Sequence, residues 1–73
     1  MYAIRYKDIA ELDGTDDMNY WLGAKDLERA EKLEDVVVDS PRFDRLRFRQ
    51  KSIAHQLRKI IGKDYCVVVR ISE

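Results

Sequence analysis

The side chains best suited to chemistry in this sequence are arginines, and they cluster. Arg45, Arg47 and Arg49 alternate with other residues, and no acidic residue occurs between Asp44 and Asp64. On a strand the three arginines would stand on one face about 6.8 Å apart, because each residue advances about 3.4 Å. Guanidinium groups bind phosphate and carboxylate through paired hydrogen bonds. The spacing therefore predicts a basic face that binds an acidic protein surface or a nucleic-acid backbone. Its predicted members are Arg45, Arg47, Arg49, Lys51 and Lys59.

A group of carboxylates near the start of the chain offers a second candidate surface. Its members are Asp8, Glu11, Asp13, Asp16 and Asp17. Spaced carboxylates can occupy a groove built for phosphates, so they predict docking to a partner that normally binds nucleic acid. An EF-hand is excluded, because Gly14 at position 6 would put Ile9 first and Tyr20 last. A looser divalent-cation site at Asp13, Asp16 and Asp17 and a purely solvated loop remain open; we predict no metal or other cofactor.

Candidate nucleophiles and bases are few. His55 is the single histidine and lies one helical turn after Ser52, but no carboxylate is placed to orient it. Cys66 lies in an apolar stretch, where burial is expected to raise the pKa of its thiol and make it inert. We therefore predict that the protein is not an enzyme. Tyr20 and Trp21 are candidate aromatic anchors for a partner, or else part of the core.

The overall charge conceals a division of the chain. The 73 residues carry 14 basic and 14 acidic side chains. Residues 1–40 hold five basic and eleven acidic residues, a net charge of −6, and residues 41–73 hold nine basic and three acidic residues, a net charge of +6. The two halves either neutralise each other within the fold or form two docking surfaces of opposite sign. Opposite faces could also pair between copies, so a homodimer is an open alternative.

Length and composition exclude several classes of protein. A chain this short predicts one domain, spanning residues 1–73. It has no apolar run of the roughly 18 residues that span a bilayer, and one cysteine excludes a disulfide framework. An apolar content of 45% is sufficient for a core. These features predict a small cytoplasmic domain without membrane contact.

Hydrophobic patterning predicts strands at residues 1–7, 19–22, 35–39 and 65–71, and a short weak helix at about 24–33. Residues 41–61 allow two interpretations, because Ser40 and Pro41 could begin one long helix. That helix would place Phe48 opposite its apolar face, at a loss of roughly 1.5–3 kcal/mol of burial. A strand at 44–49 followed by a helix at about 50–61 is therefore preferred. The predicted fold is α+β: a four- or five-stranded, mostly antiparallel sheet, with the closing strand central and the C-terminal helix on one face.

Several short segments resemble those of small phage- and prophage-encoded proteins. They are Tyr-Trp-Leu-Gly at 20–23, Arg-Phe-Arg at 47–49, Gln-Lys-Ser-Ile-Ala-His-Gln-Leu at 50–57, Ile-Gly at 61–62 and the Val-rich closing strand. Those proteins commonly place a short sheet against one helix in ββαβ order, and some of them, anti-CRISPR proteins included, inhibit host defence. The resemblance implies an inhibitor of a host protein.

Together these observations predict a small non-enzymatic interaction module. It would bind a host protein, for example one that itself binds nucleic acid, by charge complementarity. The alternative is a small nucleic-acid-binding protein that uses the basic face.

Overall fold

A computed structural model describes residues 1–7 and 19–72 of the chain. The elements follow the order strand, helix, helix, strand. Strand β1 spans Tyr2–Tyr6, helix α1 spans Ala24–Arg29, helix α2 spans Lys51–Ile61 and strand β2 spans Cys66–Arg70. Two short 3₁₀ turns, Leu33–Asp35 and Arg42–Asp44, lie between the helices. Within the described ranges, no helix is both long enough and apolar enough to cross a membrane.

The two strands form one antiparallel sheet in which Tyr2 lies opposite Arg70 and Tyr6 lies opposite Cys66. The other edge of β1 is covered by single bridges rather than by a strand. Tyr2 exchanges backbone hydrogen bonds of 2.8 Å with Phe48, and Arg5 forms a bridge with Trp21. Strand β1 is therefore the central strand of the described part of the chain.

The predicted four- or five-stranded sheet is wrong. Segments 19–22, 35–39 and 44–49 each form isolated bridges or none, so two strands remain among the described residues. Neighbouring elements prevent these segments from extending into strands, because α1 begins directly after Gly23 and a 3₁₀ turn occupies Leu33–Asp35. Pro41 follows the bridge residue Ser40 and has no N–H to donate. The closing strand is also not central, since β2 pairs with β1 alone among the described residues.

The helices lie close to where the sequence places them. Helix α2 begins one residue later than predicted and ends at Ile61, where Gly62 adopts φ 140°. That left-handed backbone suits glycine, which has no Cβ to clash. Helix α1 is shorter than the predicted 24–33, because Ala30 is already extended with φ −89° and ψ 135°.

The core lies between α2 and the sheet. Its buried side chains are Ile4, Leu22, Val36, Val38, Ile61 and Cys66. Val36 and Val38 are buried whereas Val37 between them is 61% exposed, which is the alternation of an extended segment without a ladder. Only part of the apolar face of α2 is buried. Ala54 and Ile61 are covered, whereas Ile53 and Ile60 remain largely exposed. The core is thus built by extended segments that pack without forming strands.

Candidate functional site

Trp21, the single tryptophan of the chain, is held in a row of backbone contacts across the sheet. Its N–H donates to Ser40 O at 2.9 Å, and the Ser40 N–H donates to Trp21 O at 2.8 Å. On its other side Trp21 bridges Arg5 of β1, and Arg5 in turn lies opposite Val67 of β2. Partners in such a row project to the same face, so the indole lies on the face of Arg5. The ring is only 3% exposed.

Two guanidinium groups lie over this indole. The Cζ atom of Arg45 is 4.3 Å from the ring centroid, and that of Arg5 is 4.8 Å from it. Both distances fall within the roughly 6 Å range of cation–π attraction, which strengthens to about 2 kcal/mol when the cation is desolvated. Arg45 is desolvated, with 5% of its surface exposed. Its backbone is fixed by the Gly23–Arg45 bridge and by an N–H that donates to Arg42 O at 3.2 Å.

These side chains form one wall of an arginine cleft of about 280 Å³. It is lined by Arg5, Trp21, Arg42, Arg45, Val69, Arg70, Ile71 and Ser72. Arg42 and Arg70 are exposed, while Arg5 is half-buried. No acidic residue is among the described residues that line this cleft. Low-dielectric walls strengthen the field of charges of one sign, so the arginine cleft is suited to binding an anionic group.

The predicted basic face does not form a row on a strand. Arg45 is buried against Trp21, whereas Arg47 and Arg49 are exposed. Arg47 donates from Nη1 to Arg45 O at 3.2 Å, which folds its side chain back along the segment. Because residues 44–49 are not a strand, the 6.8 Å spacing does not apply. Lys51 and Lys59 are exposed at the two ends of α2.

The other predicted docking residues have different outcomes. The acidic group of Asp8, Glu11, Asp13, Asp16 and Asp17 lies outside the described residues. Tyr20 is half-buried and Trp21 is covered, so the indole is not an exposed anchor. Among the described residues, the large apolar side chain with the greatest exposure is instead that of Phe43, at 74%.

The candidate base His55 and the candidate nucleophile Cys66 lie on different elements. His55 is exposed on α2. Cys66 is fully buried, and burial raises the pKa of its thiol although Arg58 opposes that rise, as the apolar context predicted. Its Sγ donates a weak 3.5 Å hydrogen bond to Gly62 O. In the described part of the chain, no group of three or more His, Cys, Asp or Glu side chains is arranged to hold a metal ion.

Sequence reasoning missed three of the four arginines in the cleft. Arg5, Arg42 and Arg70 come from β1, a 3₁₀ turn and β2, and each is flanked by unremarkable residues. No local pattern links them, because only the pairing of β1 with β2 and the Trp21 bridge bring them together. The alternation of Ala3, Arg5 and Lys7 is a sequence signal that could have placed Arg5 on one face of β1.

Comparison of the chain with protein-family models, curated proteins and solved structures finds no match. The resemblance to small phage-encoded proteins therefore stays a prediction.

Proposed function

We propose that this protein is a small non-enzymatic interaction module that binds an acidic side chain of a partner protein in its arginine cleft. One observation carries the proposal: four arginines line a cleft of about 280 Å³, and the guanidinium groups of two of them, Arg5 and Arg45, lie over Trp21. A carboxylate that enters it meets several guanidinium donors at once. Such charge-assisted hydrogen bonds are roughly twice as strong as neutral ones.

The dimensions of the cleft favour a single acidic side chain over a nucleotide. Pockets for drug-sized ligands measure about 300–1,000 Å³, and this cleft lies just below that range. Proteins that bind single strands stack bases on open aromatic rings, but Trp21 is 3% exposed beneath Arg5 and Arg45. The strand that would have spaced arginines along a nucleic-acid backbone is not formed.

An exposed phenyl ring next to the cleft provides an anchor for the same partner. Phe43 is 74% exposed and directly follows Arg42, which lines the cleft. Binding energy at protein interfaces concentrates in a few aromatic and arginine side chains surrounded by weaker contacts. A partner that places an acidic residue in the cleft and an apolar pocket over Phe43 would use both.

Trp21 gives a direct readout of this proposal, because it is the only tryptophan and lines the cleft. We expect a glutamate-rich peptide to change Trp21 fluorescence in a saturable manner that weakens as salt is added. The double variant Arg42→Ala/Arg70→Ala, at two exposed positions, should weaken binding at least tenfold. The variant Lys59→Ala/Lys63→Ala removes the same charge from exposed positions outside the cleft and should bind as the wild type does.

A single-stranded oligonucleotide of equal charge, titrated under the same conditions, separates the two predicted functions. Tighter binding of the oligonucleotide, with a steep loss of affinity in salt, would favour the nucleic-acid alternative. Equal weakening by the two double variants would show that net charge rather than the cleft attracts the peptide. Either result contradicts the proposal.

A further inference from the structure

A second cavity, of opposite sign, lies where α1 meets the extended segment that follows it. It measures about 280 Å³ and is lined by Asp26, Arg29, Ala30, Asp35, Val37 and Asp39. We call it the Asp26 cavity. Asp35 and Asp39 are exposed at its edge, whereas Asp26 is only 2% exposed. The cavity therefore combines two rim carboxylates with a buried one.

Only one oxygen of the buried Asp26 carboxylate accepts hydrogen bonds from the described residues. Its Oδ2 accepts hydrogen bonds from the Gly23 N–H at 2.8 Å and the Asp39 N–H at 3.3 Å. Its Oδ1 is buried and has no hydrogen-bond partner among the described residues. A buried carboxylate oxygen left without a partner costs roughly 1–3 kcal/mol or more, so this atom marks a position where a donor is missing.

The chemistry of that donor follows from the arrangement of oxygens. A guanidinium fork pairs with both oxygens of one carboxylate, but Oδ2 of Asp26 is already occupied by two backbone N–H groups. An ammonium group is a compact charge with three donors, which suits single oxygens from separate residues. The described residues form no group suited to a metal ion. Ala30 and Val37 give the cavity an apolar part on which methylene groups can pack.

We propose that the Asp26 cavity binds a primary alkylammonium group, such as that of a lysine side chain, with the ammonium at Asp26 Oδ1. This site is separate from the arginine cleft and shares no lining residue with it. Failure of one proposal therefore leaves the other standing.

The test is a titration of the ¹⁵N-labelled full chain with n-butylammonium chloride at constant ionic strength, followed by NMR. We expect saturable shifts at the amides of Asp26, Ala30 and residues 35–39, with a Kd on the order of 1 mM for so small a ligand. The neutral analogue n-butanol should leave these amides unchanged. Nα-acetyl-lysine methylamide distinguishes the source: binding by both probes indicates a lysine of a partner protein, and binding by n-butylammonium alone indicates a free amine.

Variants separate this site from general charge. Asp26→Asn keeps the size and one carbonyl oxygen of the side chain, and it should weaken n-butylammonium binding about tenfold. If that variant does not fold, Asp35→Asn/Asp39→Asn, at exposed positions, should weaken binding several-fold. Asp64→Asn removes an exposed charge elsewhere and should have no effect.

Three results would overturn the proposal. They are the absence of saturable shifts, equal binding by wild type and Asp26→Asn, and binding that appears only in Arg29→Ala. The last result would mean that Arg29, which also lines the cavity, occupies it in the native chain.

Discussion

At the scale of single residues, the fold places side chains of the same type in very different environments. Arg45 and Arg47 are two positions apart, yet Arg45 is 5% exposed over the Trp21 ring while Arg47 is exposed. The sequence predicted that both belong to one basic face, because alternation on a strand would have placed them together. The Gly23–Arg45 bridge and the preceding 3₁₀ turn decide the outcome instead. Alternation along the sequence therefore did not predict which of these arginines share a face.

Gly23 shows how closely the segments around the cleft approach each other. Its backbone is extended with φ −121°, so any residue could adopt the conformation. A Cβ at this position, however, would lie 2.6 Å from Ser40 Cβ and 2.9 Å from the Asp44 backbone oxygen. We expect Gly23→Ala to lower the free energy of unfolding by about 1–3 kcal/mol, because buried backbone must move to admit the methyl group. Urea unfolding at unchanged m value measures the loss.

The double variant Gly23→Ala/Ser40→Gly isolates the steric cause. It removes the Ser40 side chain that the new methyl group meets, so part of the loss caused by Gly23→Ala should be recovered relative to Ser40→Gly alone. Strictly additive effects of the two substitutions would contradict the close approach.

At the scale of elements, the junction of α2 with β2 is held by several backbone and side-chain hydrogen bonds. Gly62 ends α2 and donates its N–H to Arg58 O at 2.8 Å. The Arg58 side chain then reaches over the turn and donates from Nε to Cys66 O at 2.7 Å and from Nη2 to Lys63 O at 3.1 Å. One side chain thus satisfies two carbonyl groups and fixes where β2 begins.

Removal of these two hydrogen bonds should loosen the start of β2. We expect Arg58→Met, which keeps the aliphatic stem, to lower the free energy of unfolding by about 1–2 kcal/mol, because Cys66 O loses its charged donor. Lys59→Met removes an adjacent exposed cation of the same helix and should change stability by no more than about 0.5 kcal/mol. Chemical denaturation of both variants measures the difference. Equal effects would indicate that helix charge, and not the two carbonyl contacts, is responsible.

Elements with a strong local signal were predictable from sequence, and those that depend on tertiary contacts were not. The i, i+4, i+7 stripe and the glycine stop placed α2 to within one residue. The alternation of Tyr2, Ile4 and Tyr6 with Ala3, Arg5 and Lys7 predicted a strand at residues 1–7, and β1 spans Tyr2–Tyr6. Val36 to Val38 have the composition of a strand but form no ladder with any described strand. A segment forms a strand only when a neighbouring segment hydrogen-bonds to it, and residue types alone do not reveal that neighbour.

At the scale of the whole molecule, the division of charge along the chain is partly converted into a division in space. The arginine cleft takes Arg42, Arg45 and Arg70 from the basic half and recruits Arg5 from the acidic half. The Asp26 cavity takes its three carboxylates from the acidic half. The Lys25–Asp44 ion pair, at 3.9 Å and with both side chains solvated, links the halves weakly. Among the described residues the two cavities therefore differ in the sign of their excess charge, although Arg29 also lines the Asp26 cavity.

The whole fold is also expected to respond to alkaline pH through two groups, the buried Cys66 thiol and the half-buried Tyr65 phenol. Burial raises the pKa of the Cys66 thiol above its ordinary value of 9.0, with opposition from Arg58. Burial likewise raises the pKa of the Tyr65 phenol above 10.0, with partial opposition from a hydrogen bond with the Val38 backbone. The folded state therefore keeps protons that the unfolded chain releases. The stability due to each group is complete below its unfolded pKa and is lost as pH rises through its folded pKa.

We therefore expect the free energy of unfolding of the reduced protein to fall between about pH 8 and pH 11. Each group contributes at most about 1.4 kcal/mol per pH unit, within the interval between its unfolded and folded pKa. At neutral pH, Cys66→Ala lowers stability through lost packing and Tyr65→Phe through the lost hydrogen bond with the Val38 backbone. Each variant should nevertheless show a shallower alkaline decline than the wild type. Urea unfolding at a series of pH values measures the slopes. Parallel slopes for wild type and both variants would contradict the linkage of these two groups to folding.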